Sequence, residues 1–236
     1  MDFMQKIPLL RKELIADRTM AFYFAKPEGF TFIPGQTIDI TLIDSPETDI
    51  EGSSRTFSIA SAPHEKELMI AVRMRDTAFK RVLGALQEGA EVLLDGPFGS
   101  FTLHENTNRR AVFIAGGIGV TPFRSIITHA TAVNLPHEIV LFHVNRRPED
   151  AAFLSELRTG NHMYVPLMTQ MKDSVHVWEG EEGYLNPLHI KKYVPENANA
   201  IFYLAGPQPM IYAVRTMLRD AGISNDDIRY EEFAGY

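Results

Sequence analysis

The chain has 236 residues, 45% of them hydrophobic, and a formal net charge of -7. Its length allows one large domain or two of ordinary size, and its mild acidity argues against a nucleic-acid-binding protein, which needs a basic face. The 0 cysteines exclude a disulfide framework, a thiolate zinc site and a cysteine-ligated iron–sulfur cluster from these residues. We expect a soluble, cytoplasmic protein, since no apolar run approaches the roughly 20 residues of a membrane span and the first residues lack the apolar core of a signal peptide.

Residues 1–105 are predicted to form an antiparallel β domain. Short runs of alternating apolar and polar residues are separated by Gly, Pro, Asp and Glu, which is typical of a β-barrel or sandwich. The runs are LLRKELI, MAFYFA, QTIDITLI, RTFSIASA, LMIAVRM and EVLLDGPFG. One helix is predicted at DTAFKRVLGAL, because its apolar residues fall at helical spacing after a possible cap at Asp76.

From about Arg109 onward, predicted strands alternate with predicted helices. The strands are RAVFIAG, EIVLFHVN, HMYVPLMTQ, AIFYLAG and DIRYEEFAGY, and the helices are TPFRSIITHAT, PEDAAFLSELRTG, NPLHIKKYV and PQPMIYAVRTMLRDAG. This alternation predicts a parallel sheet with helices on both faces. The polar stretch HENTNRR places the boundary between a domain of residues 1–105 and an α/β domain of residues 106–236. The 8 histidines form no close-set ligand pairs, so no metal site is predicted.

A glycine-rich turn, FIAGGIGVTPFRS, joins the first of these strands to its helix. Small residues at this point let a phosphate or ribose approach the backbone, and the start of a helix favours an anion. Pro122 suits a first helical turn, and Thr121 can cap the helix or bind a ligand through its hydroxyl. A tight connection without a ligand would explain the glycines equally well.

A second candidate site is the predicted strand SSRTFSIASAP. Arg55 and Phe57 should project from one face of this strand, and Ser58 from the other. An arginine can bind a phosphate through two hydrogen bonds, an aromatic ring can cover a planar ligand, and a hydroxyl can bond a ring nitrogen. An exposed arginine beside a core phenylalanine is the alternative.

Taken together, these motifs resemble the ferredoxin–NADP reductase superfamily over essentially the whole chain. They are R-x-[FY]-S in the first half, G-G-x-G-x-T-P in the second and YLAGPQPM near the end, supported by IPGQ, DGPFGSF and YEEFAGY. The resemblance implies a flavin on the barrel domain and a nicotinamide dinucleotide on the α/β domain.

The resemblance also implies roles for the first motif. Arg55 would bind the flavin phosphate, and Thr56, Phe57 and Ser58 would lie along the isoalloxazine, with Ser58 near its N5 edge. The Gly-Gly-x-x-Ser stretch that usually follows is replaced by MRDTAFKRVL. Thr77 and Lys80 in that stretch either serve a diphosphate or are a capping threonine and a solvated lysine. FAD is expected over FMN because the family usually carries FAD.

In the second half, the resemblance assigns two loops to the dinucleotide. The first loop contains Gly116, Gly117, Gly119, Thr121 and Pro122, and the second contains Gly206, Pro207 and Met210. Ala205 stands where the family often has a cysteine beside the nicotinamide. Because hydride passes directly from nicotinamide C4 to flavin N5, this replacement removes no chemistry.

Asn145, Arg146 and Arg147 end the second predicted parallel strand, where the adenosine ribose is read in such folds. An acidic residue there would favour NADH, whereas arginine accommodates a 2′-phosphate, so NADPH is expected. Two arginines paired with neighbouring acids on an exposed turn are the alternative.

At the chain end, Glu232, Phe233 and Tyr236 join Ser58 as candidate catalytic residues. The family often places an aromatic over the flavin, and we expect Phe233 as a fixed wall and Tyr236 as a movable cover. The expected function is hydride transfer from NADPH or NADH to FAD, with electrons passed to a separate acceptor such as ferredoxin, flavodoxin or a small molecule. The alternatives are an electron-transfer or regulatory subunit of a larger complex, or a flavin or ferric reductase.

Overall fold

The computed structural model describes residues 4–195 and 199–233. The first half forms an antiparallel, barrel-like sheet of six strands in the order β4-β3-β6-β1-β2-β5. These strands are β1 (Gln5–Ala16), β2 (Thr19–Ala25), β3 (Thr37–Leu42), β4 (Ser54–Ser58), β5 (Glu67–Arg73) and β6 (Glu91–Phe98). The helix α1 (Ala78–Ala85) lies between β5 and β6 and buries Phe79 and Leu83 in the core of this domain.

The second half forms a parallel sheet of six strands in the order β10-β9-β8-β7-β11-β12. Its strands are β7 (Arg110–Gly116), β8 (Ile139–Asn145), β9 (Met163–Met168), β10 (Glu181–Glu182), β11 (Ala200–Pro207) and β12 (Ile228–Phe233). Its helices are α2 (Thr121–Ala132), α3 (Pro187–Tyr193) and α4 (Gln208–Asp220). The apolar side of α2 covers one face of the sheet and that of α4 covers the other, which confirms the predicted fold class.

The face of the parallel sheet that carries α2 also packs against the barrel-like domain. One apolar cluster joins Ala21 and Met69 of the first sheet to Phe113 of β7 and Phe123 of α2. The carboxyl end of β12 also reaches the first sheet, since Glu231 of β12 lies beside Ser58 of β4. The stretch 99–109 separates the two sheets along the chain, and the division at residues 105/106 stays a prediction.

Two local predictions are wrong. The predicted helix PEDAAFLSELRTG is instead two short 3-10 turns, Pro148–Asp150 and Glu156–Arg158. Phe153, between them, adopts φ 59, a left-handed conformation that an α-helix cannot contain. The cap of α1 is Thr77, whose hydroxyl accepts a hydrogen bond from the backbone N–H of Lys80 at 3.4 Å, and Asp76 instead pairs with Arg81.

Candidate functional site at the contact between the two sheets

The arginine–serine motif lies on β4, at an edge of the first sheet, with the predicted alternation. Arg55 and Phe57 share one face and approach Phe79 of α1: the Arg55 Cζ atom lies 5.1 Å from the Phe79 ring centroid, and the two phenyl rings are 5.9 Å apart. Thr56 is exposed, and Ser58 is buried on the other face. The strand therefore presents a cation and an aromatic ring on one side and a buried hydroxyl on the other.

The Arg55 guanidinium is held by two carboxylates of the preceding loop. Its Nη2 lies 2.5 Å from Asp49 Oδ1 and its Nε lies 3.0 Å from Glu51 Oε2. Nη1 donates to backbone carbonyls of the same loop. A phosphate could bind here only by replacing these carboxylates, since the donors that would grip it are already used.

A group of cations surrounds the start of α1. Burial lowers the pKa of Lys80, and the charges of Arg75 and Arg55 lower it further, whereas the carboxylate of Glu51 raises it. Lys80 forms no ion pair within the described ranges, and Thr77 beside it caps the helix. An anion at this place would offset the positive charges of Lys80 and Arg75 and would face a helix N-terminus, so the region suits a phosphate group.

The buried hydroxyl of Ser58 meets a carboxyl group from the other sheet. Glu231 of β12 lies beside it, and burial raises the pKa of Glu231 to about 7, although the hydroxyl lowers it slightly. Neither Ser58 Oγ nor Glu231 Oε2 has a regular hydrogen-bond partner among the described residues. A carboxyl group that is half protonated near neutral pH can hold and release a proton, and a buried hydroxyl without a partner can serve a ligand atom.

The acidic residue at this contact is Glu231, whereas the sequence prediction named Glu232. Side chains alternate along β12, and Ile228 packs into the cluster beneath α4, so Glu231 and Phe233 face the first sheet and Glu232 is exposed. Ile228, the apolar residue at the start of β12, is the sequence signal that could have identified Glu231. Residues at odd spacing from Ile228 lie on the opposite face of the strand.

The glycines of the two α/β loops are explained in part by contacts between the loops themselves. A Cβ atom at Gly119 would overlap the Ala205 carbonyl, and one at Gly116 would lie 2.8 Å from Pro207 Cδ and against the Met210 side chain. The loops thus pack backbone to backbone at the carboxyl ends of β7 and β11. Gly117 and Gly206 lie in the same two loops, so the predicted glycine residues are brought together as one surface.

Two buried side chains support the first loop from below. The Thr121 hydroxyl donates to the Ile118 carbonyl at 3.1 Å, and Pro122 follows in the first turn of α2. His143 of β8 is fully buried, so its pKa falls to about 4, and its Nε2 lies 2.9 Å from the Gly117 carbonyl oxygen. A neutral imidazole that donates to this carbonyl holds the glycine turn in place.

The three residues at the end of β8 have different surroundings. Asn145 is buried, and its Oδ1 has no hydrogen-bond partner within the described chain. Arg147 binds Asp150 at 2.8 Å and Asp17 of the first domain at 3.2 Å. Arg146 is exposed and forms no ion pair in the described part. Of the two predicted 2′-phosphate readers, Arg146 is therefore the one whose charge is not already neutralised.

Of the two aromatic candidates, Phe233 and Tyr236, the structure describes Phe233. Phe233 is half-buried and packs against the apolar cluster between the sheets. It pairs in register with Pro207 of β11, so it lies at the edge that carries the dinucleotide loops. Tyr236 lies outside the described residues.

The residues present fit a flavin and a dinucleotide that meet at this contact. The cations around α1 suit a diphosphate, the orphaned Ser58 hydroxyl can bond a ring nitrogen, and the glycine surface lies at the carboxyl edge of a parallel sheet, where nucleotides bind. In the described ranges there is no cluster of three or more His, Asp or Glu able to hold a metal ion, and no helix there is long and apolar enough to cross a membrane.

Comparisons with known proteins agree with this geometry. Residues 113–216 match the family of the oxidoreductase NAD-binding domain. The chain is 28% identical to the reductase component of propane 2-monooxygenase from Rhodococcus jostii and 28% identical to a flavohemoprotein from Burkholderia sp., with 88% and 94% of this chain covered. It spans 57% of the length of each relative.

The fold also matches a solved structure, a ferredoxin NADP+ reductase from Neisseria gonorrhoeae with bound FAD and NADP. The TM-score is 0.79 at 21% identity, and the match covers 97% of this chain and 98% of the other. The family match, the relatives and the two-sheet fold agree with the motifs found on β4, β7, β11 and β12. In its second-half family match, its relatives and its fold, the chain is similar to reductases of the kind that its motifs resemble, those of the ferredoxin–NADP reductase superfamily.

Proposed function

We propose that the chain is an NAD(P)H-dependent flavoprotein reductase that passes electrons to a separate acceptor. When bound, the flavin supplies the redox chemistry by accepting hydride at N5 from nicotinamide C4 and then giving up electrons singly or in pairs. The observation that carries the proposal is the meeting of Ser58, from the predicted flavin strand, with Glu231, beside the predicted nicotinamide loops.

The chain's own residues bind and orient the two partners of this reaction. We assign the flavin phosphates to Arg55, which would exchange its loop carboxylates for phosphate oxygens, and to Lys80. The loops that contain Gly119 and Gly206 would receive the nicotinamide, where Ala205 leaves room for the ring. Ser58 would bond the flavin edge, and Glu231 would hold a proton at its carboxyl group for transfer through the Ser58 hydroxyl.

The acceptor is proposed only by class. The relatives include a reductase component of a monooxygenase, and these 236 residues contain 0 cysteines, so electrons would leave to a separate protein or to a small acceptor rather than to a cysteine-ligated cluster in this chain. The cytoplasmic location predicted from the sequence stays a prediction.

The test is reduction of flavin by a dinucleotide. The purified chain should bind about one equivalent of FAD, become yellow, and oxidise NADPH or NADH with ferricyanide as acceptor. Rapid mixing without oxygen should show bleaching of the flavin absorbance before any acceptor is added. A chain that stays colourless with added FAD would end the flavin proposal. A chain that binds FAD but is reduced only with a partner protein present would favour the alternative of a subunit of a larger complex.

A further inference from the structure

A buried arginine joins the two domains at a place that neither predicted cofactor loop includes. Arg124 of α2 is 7% exposed. Its Nη1 donates to the Ala60 carbonyl at 2.7 Å and lies 2.9 Å from Glu65 Oε2, both in the first domain. On its other side, its Nη2 lies 2.7 Å from Glu156 Oε1 in the α/β domain. One guanidinium thus binds a carboxylate from each domain.

The first-domain contacts of Arg124 lie on a turn that the arginine itself helps to close. Glu65 also accepts a hydrogen bond from the backbone N–H of Ala62 at 2.6 Å. Burial opposes ionisation of Glu65, but the hydrogen bonds from Arg124 keep its pKa below the usual value. The next residue of α2 adds another contact, since the Ser125 hydroxyl donates to the Ser61 carbonyl at 2.7 Å.

The position of this connection along the chain is what suggests its role. Ala60 lies two residues after Ser58 at the flavin edge, and Arg124 lies three residues after Thr121 in the dinucleotide turn. Hydrogen bonds of Arg124 and Ser125 therefore link the two cofactor segments over a few residues of strand and helix. Short, buried links of this kind fix the position of one segment relative to the other, because side chains in close-packed interiors have no room to shift.

We propose that Arg124 is a positioning residue that sets the orientation of the α/β domain on the barrel-like domain, so that the nicotinamide and flavin rings meet at reacting distance. This inference rests on the proposed function. Hydride transfer needs atoms about 3–3.5 Å apart, and a misplacement of about 1 Å costs on the order of a hundredfold in rate. Arg124 would act through the turn that carries Ala60 and Glu65, and it lies outside both predicted cofactor loops.

Other contacts keep the domains together when Arg124 is changed, so the variants should fold. Arg73 of β5 binds Asp150 at 3.1 Å, and Arg147 binds Asp17 at 3.2 Å, both across the same boundary. The apolar cluster between the sheets is also untouched. Arg124→Lys keeps the charge but cannot reach both carboxylates and the Ala60 carbonyl at once, and Ser125→Ala removes one hydrogen bond without a change of charge.

The first measurement is of domain orientation and needs no activity. Because the chain has 0 cysteines, Glu88→Cys and Asp220→Cys place two unique spin labels, one on each domain, at exposed positions. Pulsed electron–electron double resonance should give a narrow distribution of distances between the two labels in the parent. The distribution should be broadened or shifted with Arg124→Lys or Ser125→Ala. The matched control is Arg11→Lys, an arginine whose carboxylate partners, Glu13 and Glu67, both lie in the first domain. Distances unchanged from the control in both variants would overturn the proposal.

The second measurement separates positioning from stability. With FAD bound, Arg124→Lys should keep its flavin content and its dissociation constant for the dinucleotide within about threefold, while the limiting rate of flavin reduction falls about tenfold to a hundredfold. A limiting rate equal to that of the control, even with a lower Tm, would overturn the proposal. If the parent chain itself takes no hydride, the proposed function fails, and the spin-label distances alone decide whether Arg124 sets the domain orientation.

Discussion

The contact between Ser58 and Glu231 leads to a test of stability against pH. Burial raises the pKa of Glu231 to about 7 from an ordinary value of 4.5. The unfolded chain thus loses this proton at lower pH than the folded chain does, and stability falls as the pH rises from about 4.5 to 7, then levels off. The substitution Glu231→Gln puts a neutral amide at this position and so removes this loss of stability.

The size of the effect follows from the two pKa values. Their difference, 7 minus 4.5, is 2.5, and at about 1.36 kcal/mol for each tenfold change it corresponds to about 3.4 kcal/mol. This is an upper limit, because Glu231 is only partly buried and solvent screens its charge. We therefore expect the free energy of unfolding of Glu231→Gln to rise by about 2 kcal/mol relative to that of the parent when the pH is raised from 5 to 8.

The assay is urea unfolding of parent and variant at pH 5 and pH 8, followed by circular dichroism. Glu232→Gln is the matched control, since it removes an exposed carboxylate one residue further along β12. In the control, the free energy of unfolding should change between pH 5 and pH 8 by the same amount as in the parent. If the free energies of unfolding of Glu231→Gln and the parent differ by the same amount at pH 5 and at pH 8, the raised pKa is refuted, and with it the proposed proton-holding role.

Three further predictions concern the ligands. Arg55→Ala should weaken FAD binding by about 1.5–3 kcal/mol, the cost of one charge-assisted contact, as measured by fluorescence titration; equal affinity would show that Arg55 does not bind the phosphate. Arg146→Ala should lower the ratio of kcat/KM for NADPH over NADH, whereas Arg147→Ala, whose charge is already paired, should mainly lower Tm; a ratio that neither variant moves would rule out the 2′-phosphate assignment. A chain that ends at Gly235, without Tyr236, should keep its flavin but change its dinucleotide affinity and reduction rate, and unchanged values of both in rapid mixing would remove Tyr236 as a cover.

Much of the fold was predictable from local patterns. The alternating runs of the first half and the strand–helix alternation of the second reflect burial of one or both faces of a sheet, which the period of apolar residues records directly. The larger of the two wrong predictions is the stretch after β8, which has helical spacing of apolar residues but forms two 3-10 turns. Its Asp150 is drawn into ion pairs with Arg73 and Arg147, and no local pattern encodes the partner from the other domain.

Local sequence patterns identify the residue types at the candidate site: an arginine, an aromatic and a serine on one strand, glycines after another, and acidic residues on the last. Which of these side chains meet, and which are already paired, depends on how distant segments of the chain pack together. The register of β12 turns Glu231, rather than Glu232, toward Ser58. Asp17 reaches Arg147, and Glu65 reaches Arg124, across a domain boundary. Charge, burial and partner are properties of the space around a side chain, and that space is assembled from segments far apart in the chain.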